Sequence, residues 1–391
     1  MDKEIRLRVN RSANASMFVY AVSTITLPIC LVKMKQELGL SLTQAGSLGF
    51  ITSIEQLVFL LLSGIIAAKY GKIRILKSAL LILAAGLLLF TQISTYLIAL
   101  GIILVIGIGN AFLEALLIPL VEDLYPDDNG GKQNLLAAYW PIGVLSATLV
   151  TGELLSRGIS WRWIFAGVAV LVLIVFLFFP RTKHARLPKR KADFNHIKEI
   201  FNQPKFYVMA FALFYAGAAE GALTFWLASY IQLDMGELPR AGGIGTASFA
   251  LGMFFGRLGT SRLTKKYELK RIIQVSTLLS ILASSLFFFA NQILLLYFIV
   301  FLTGLTIACF WPSIQTYAVR VIPLDATLIM ILLSCFGLVG FSSASLLMGI
   351  IGDMAGLKIS FIIVPVCQFF LLLLMSIESK ILFKGVKVLN K

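Results

Sequence analysis

Long apolar runs separated by short polar stretches fill this chain. Runs of about 20 residues predict helices able to cross a hydrocarbon core. They fall at 13–33, 43–68, 75–94, 97–120, 134–156, 161–180, 206–231, 241–264, 272–290, 293–318, 329–350 and 359–382. The longest polar stretch, RTKHARLPKRKADFNHIKE, lies between the sixth and seventh runs and has Pro188 near its middle. It divides the chain into an N-terminal bundle (1–180), a cytoplasmic linker (181–205) and a C-terminal bundle (206–391). The expected fold is all-α and integral to a membrane, with twelve transmembrane helices in two pseudo-symmetric six-helix bundles.

The pattern repeats. Sliding the 391-residue sequence by 197 places Gly46 on Gly243, Lys69-Tyr70 on Lys266-Tyr267, Gly107 on Gly304 and Pro126 on Pro323. The same shift sets Gly143 on Gly340, Ser146 on Ser343 and Gly152 on Gly349. One register held without gaps across five spans is a parallel internal repeat. Two such halves related by an axis along the membrane normal place a substrate near the midplane, at their interface.

Composition narrows the class. Hydrophobic residues make up 59% of the chain and charged ones 14%, against about 25% charged in soluble domains. The net charge of +15 does not mark a nucleic-acid binder, because the basic residues cluster between apolar runs. Of the 34 Lys and Arg, 27 fall on the side that carries both termini and six on the other, with Arg257 inside a span. By the positive-inside rule both termini are cytoplasmic, and the setting is the plasma membrane. Cys30, Cys309, Cys335 and Cys367 all sit in apolar runs, and His184 and His196 share one polar loop. Neither set suggests a disulfide framework, a metal centre or any cofactor. The nearest text to a phosphate-binding loop, Gly130-Gly131-Lys132, lacks the first glycine and the hydroxyl. The charged start MDKEIRLRVNR leads into a long span rather than a short cleavable one, so no signal peptide is expected.

Between spans 2 and 3 stands GIIAAKYGKIR, from Gly64 to Arg74, with a decayed copy from Ser261 to Arg271 after span 8. With Ser160-Trp161-Arg162-Trp163 at the entry to span 6, these residues resemble the major facilitator superfamily over nearly the whole chain. The resemblance implies the major facilitator fold. A narrower similarity is to the fucose-permease-like sugar symporter branch. It rests on Gly107-Ile-Gly109 through Glu114 to Pro119 in span 4, and on Tyr215-Ala-Gly217-Ala-Ala-Glu220 with Trp226 and Tyr230 in span 7. Gly256-Arg257 in span 8 and Phe310-Trp311-Pro312-Ser313 in span 10 add to it. The chain departs from that branch in two places: Thr24 stands where span 1 carries an acid, and Ile118 where span 4 carries an asparagine.

Three acids lie inside spans: Glu55, Glu114 and Glu220. A charge at the bilayer centre costs about 2.5–3.5 kcal/mol on insertion scales. An unpaired acid there tends to hold a proton, which is what a proton carrier requires. Glu114, one turn from Asn110 on the same face and paired by the repeat with Trp311, leads as substrate and proton site. Its alternative is a tie between helices. Glu220 shares its face with Gly217 and Thr224, and packing or cavity roles are both open. Glu55 is a third coupling candidate, and Arg257 reads as a snorkelling or locally paired cation. Tyr20, Thr24, Tyr139, Trp140, Trp226 and Gln315 complete the substrate-binding set, while Trp161 and Trp163 read as interface anchors. In the superfamily an aspartate of the loop signature latches the cytoplasmic side; here that position is Ala68, and span 4 ends in Glu122-Asp123. An inverted latch is expected, with Lys69 or Lys72 answering Glu122 or Asp123, and Gly71 and Arg74 completing the gating set.

The reading is a secondary active transporter of a small organic solute, working by alternating access as a monomer among membrane lipids. Proton-coupled sugar uptake is the leading form. Export of drugs or hydrophobic metabolites by proton antiport is the alternative. An enzyme is not expected.

Overall fold

The computed structural model describes residues 3–125, 131–180, 197–324 and 326–389. Both histidines and most of the linker fall outside them. Among the described residues every regular element is helical: α1 (Lys3–Leu38), α2 (Leu42–Tyr70), α3 (Lys72–Phe90), α4 (Tyr96–Leu124), α5 (Gly131–Ser156) and α6 (Trp161–Phe178). After the short α7 (Ile197–Phe201) come α8 (Pro204–Leu233), α9 (Pro239–Leu263), α10 (Leu269–Ser285), α11 (Ile293–Ile307), α12 (Phe310–Val321), α13 (Ala326–Ala355), the short α14 (Leu357–Ser360) and α15 (Ile363–Leu389).

Eleven helical segments among the described residues are long and apolar enough to cross a membrane. The predicted eighth span, now α9, is 25 residues long, but its arginines Arg240, Arg257 and Arg262 and its many glycines dilute its apolarity. Two predicted spans are interrupted. Pro312 and Pro365 carry no N–H and clash with the carbonyl four residues back. The helix accordingly breaks between Ile307 and Phe310, and again between Ser360 and Ile363.

The described residues form two compact units, one of α1–α6 with Glu237–Ile244, the other of the remainder. Within the first, α1 packs on α4, α5 and α6, α2 on α4, and α3 on α4 and α6. Within the second, α8 packs on α12, α13 and α15, and α10 on α11, α12 and α15. The neighbours of α8 are thus the repeat counterparts of the neighbours of α1. Lipid tails are as apolar as leucine, so close packing and polar ties must hold such helices together. Gly143 of α5 lets α1 approach until a Cβ would sit 2.7 Å from the Phe18 carbonyl oxygen, and Gly340 of α13 plays the same part against the Phe214 carbonyl of α8.

Helix ends repeat as well. Gly39 after α1 and Gly236 after α8, one repeat apart, have φ of 63° and 71°, a left-handed turn open to glycine. Just before them stand Glu37 and Asp234, again one repeat apart. Glu37 accepts from the Trp161 indole at 2.6 Å and from the Arg162 guanidinium, and Asp234 accepts from the Lys358 backbone N–H at 2.8 Å. Each acid clasps the start of its unit's last long helical segment. Beneath the clasps sit matching aromatic clusters, Phe90–Trp161–Phe165 and Tyr230–Phe287–Phe361, in which Phe90 and Phe287 correspond. Trp161 is therefore a buried packing residue rather than the interface anchor expected from its position, whereas Trp163 is exposed.

Candidate substrate and coupling site

In the first unit three helices meet at one carboxylate. Asn110 and Glu114, a turn apart on α4, both face α1. The Ser23 hydroxyl donates to Asn110 Oδ1 at 2.8 Å. Gln56 of α2 donates through Nε2 to Glu114 and, at 3.1 Å, to the Tyr20 hydroxyl. Tyr20 itself lies within hydrogen-bonding reach of Glu114. Tyr20, Asn110 and Gln56 are buried and Glu114 half-buried. A carboxylate accepts only, and an amide N–H₂ has two protons to give. Gln56 therefore ties α1 to α4 through α2, and a ligand hydroxyl entering here can take over either bond.

Gln56 and Ser23 were not among the sequence candidates. The adjacent Glu55 drew attention as the charged residue, but successive residues on a helix point about 100° apart. That turn brings Gln56 to Glu114 and carries Glu55 away to Gly107. Thr24 donates to the Tyr20 backbone carbonyl at 2.5 Å, so its hydroxyl is held by its own helix. Tyr139 and Trp140 are half-buried on α5.

The second unit holds the other candidates. Gly217 and Gly221 of α8 lie against the backbone of Gly337 and Phe341 on α13. Glu220 sits beside this contact, half-buried, with the charge of Arg257 from α9 acting on it. The Trp311 ring covers Gly337, where a Cβ would come within 2.5–2.9 Å of ring atoms. One turn on, Gln315 donates to Ser334 at 2.8 Å. Trp226 is fully buried and donates its indole N–H to the Ser345 carbonyl at 2.9 Å. That bond joins α8 to α13. A further carboxylate, absent from the sequence candidates, is Glu378 of α15, 1% exposed, which accepts from Lys270 of α10 at 2.6 Å and from Tyr317 of α12 at 3.0 Å.

At the junction of α2 and α3, Gly71 has φ of 87°, so the chain turns without a linker. This sets Lys72 against the end of α4, where it pairs with Asp123 at 2.7 Å and donates to the Pro119 carbonyl at 3.0 Å. A cation at a helix C-terminus also meets the negative end of the dipole. Of the expected pairings, Lys72 with Asp123 is formed, inside one unit. Lys69 lies over the Tyr70 ring at 5.2 Å, and Arg74 and Glu122 are exposed.

The family model of the Major Facilitator Superfamily matches residues 13–239 and 238–380. The chain belongs to the Major Facilitator Superfamily. Among curated relatives it is 21% identical over 332 residues to an uncharacterized MFS-type transporter of Yersinia pestis, covering 84% of each chain. To protein TsgA of Salmonella arizonae it is 25% identical over 245 residues, 61% of this chain and 59% of that one. Solved structures share the fold. A variant of the nucleoside transporter NupG superimposes with a TM-score of 0.80 at 15% identity, covering 96% of this chain and 99% of that one. The E. coli fucose:proton symporter FucP gives 0.66 at 17%, covering 94% and 98%. A bacterial homologue of the lysosomal transporter Spinster, inward-facing and unoccupied, gives 0.78 at 15%, covering 97% and 99%. As a superfamily member the chain is a multi-pass membrane transporter of a small molecule, not an enzyme.

Proposed function

We propose that this transporter works by alternating access and takes up a sugar or related polyhydroxylated solute together with a proton. The observation that carries this reading is the Glu114–Gln56–Tyr20 cluster, a carboxylate held at the junction of three helices by donors that a ligand's hydroxyls can replace. A carboxylate inside a membrane span is rare and marks a substrate or proton path. Each charge moved inward is driven by about 2.3 kcal/mol per 100 mV. The likeness to a fucose:proton symporter and a nucleoside transporter supports a hydroxyl-bearing cargo. Asn110, Tyr139 and Trp140 would complete this site within the first unit. The chain acts as a monomer in the plasma membrane, with the Lys72–Asp123 end of the first unit on the cytoplasmic side.

One observation favours the second reading, proton-antiport export of hydrophobic compounds. Ile118 is exposed where the sugar branch carries an amide, and Thr24 offers no carboxylate. Proteoliposomes separate the two. Labelled fucose or uridine should accumulate when the lumen is more alkaline than the bath, and this accumulation should vanish in Glu114→Gln. Dye extrusion with no uptake of either compound would favour the exporter.

A further inference from the structure

Glu55 is buried at the crossing of α2 and α4, 8% exposed. Its carboxyl group takes the backbone N–H of Ile108, and Oε2 has no partner among the described residues. It lies against Gly107, where a Cβ would run into Oε2 and come within 2.9 Å of Cδ and so push the carboxyl group aside. The repeat shows what this crossing looks like without the acid. Glu55 corresponds to Gly252 and Gly107 to Gly304. In the second unit a Cβ on Gly252 would meet the Phe301 carbonyl and lie 2.9 Å from Leu305 N, and one on Gly304 would lie 3.1 Å from Met253 N. There, α9 and α11 touch backbone to backbone. In the first unit a carboxyl group fills the notch instead.

We infer that Glu55 is a proton-binding site separate from the Glu114 cluster, and that its protonation sets how closely α2 packs on α4. A carboxylate with a single amide donor is poorly satisfied in an apolar crossing, while the neutral acid fits the same notch. Taking up the proton forms an Oε2–H bond at the expense of water, and releasing it returns the proton to water. The ionised group then draws α2 away from the notch towards solvent. The neighbouring titratable groups are otherwise engaged. On α1 and α4, Tyr20 and Glu114 meet Gln56; on α3, Lys72 meets Asp123, and Lys77 donates to the Phe179 carbonyl. No described charge acts on Glu55; what bears on it is burial and the Ile108 amide. Only the consequence for transport rests on the proposed function; the site itself does not.

The test therefore uses no substrate. Infrared difference spectra of the purified protein in liposomes, taken across pH, report carboxylic-acid C=O bands. Glu55→Gln is expected to remove one band and leave standing the one lost in Glu114→Gln. Gly107→Ala, which fills the notch, should shift or abolish the Glu55 band. Glu55→Gly, which restores the contact seen between α9 and α11, should fold and lack the band. Spectra of Glu55→Gln identical to wild type would overturn the site. A Glu55 band untouched by Gly107→Ala would overturn the link to the notch. Failure of fucose or uridine uptake in the wild type would sink the proposed cargo and leave these spectra informative.

Discussion

At the scale of single residues, the site depends on which residue of α2 reaches Glu114. Gln56→Leu keeps the bulk of the side chain but takes both donors from Glu114 and Tyr20. It is expected to weaken solute binding about tenfold, or about 1.4 kcal/mol, measured as the half-saturating concentration for counterflow. Glu114→Gln should leave counterflow and lose dependence on the pH gradient, which a purely structural tie between helices would not do. Sequence alone singled out Glu114 and Asn110 as candidates, an acid and an amide a turn apart in an apolar run. It did not make Gln56 or Ser23 legible. Polar residues next to a charged one are overshadowed by it, and only the three-dimensional phase of the helix tells which of Glu55 and Gln56 reaches Glu114. The bond of Trp226 to the Ser345 carbonyl was not legible either, since an aromatic in a span looks the same whether it meets cargo or a neighbouring carbonyl.

Helices and their ends carry a second layer of expectation. Trp226→Phe removes one buried hydrogen bond between α8 and α13 and should cost about 0.6–1 kcal/mol. Trp226→Ala, which leaves a cavity, should cost about 3–5 kcal/mol; thermal unfolding in detergent measures both. The Lys72–Asp123 pair joins the start of α3 to the end of α4, so Lys72→Glu should impair uptake and the added Asp123→Lys should restore it. A double variant no better than the single one would leave the pair without a role. At the end of α8, burial holds the Asp234 carboxyl above its ordinary range, partly offset by the Lys358 amide and charge. The folded state therefore binds this proton more tightly than the unfolded chain does. Its contribution to stability falls as pH rises from about 4, the unfolded value, through the raised folded one. Asp234→Asn, whose amide oxygen still accepts from Lys358, should flatten the pH dependence of the melting temperature over that range. None of these ties is visible in a hydropathy pattern, because ion pairs at helix ends join residues far apart in sequence. The breaks before Pro312 and Pro365 and the turns at Gly39, Gly71 and Gly236 were legible as residue types, though the angles they impose were not.

The molecule as a whole was the most legible level. Periodic apolar runs, a basic bias to one side and a constant register of 197 residues give helical bundles in duplicate without knowledge of any contact. A superfamily member built this way is expected to place both termini in the cytoplasm. Impermeant labels on added terminal cysteines should react only after permeabilisation of right-side-out vesicles, and labelling of intact vesicles would invert the proposed orientation. The cargo was less legible, because the exposed Ile118 and the self-bonded Thr24 occupy positions where the sugar branch keeps polar groups.

Two of the four glycine codons lie a single base from a glutamate codon. At the crossing of α2 and α4, and in its untitratable twin between α9 and α11, that minimal exchange separates a hinge that feels acidity from one that is deaf to it. A duplicated scaffold can thus become functionally lopsided while its outline stays even. Engineering the sensitivity of such a carrier then calls for work on one half only, with the other serving as a built-in control.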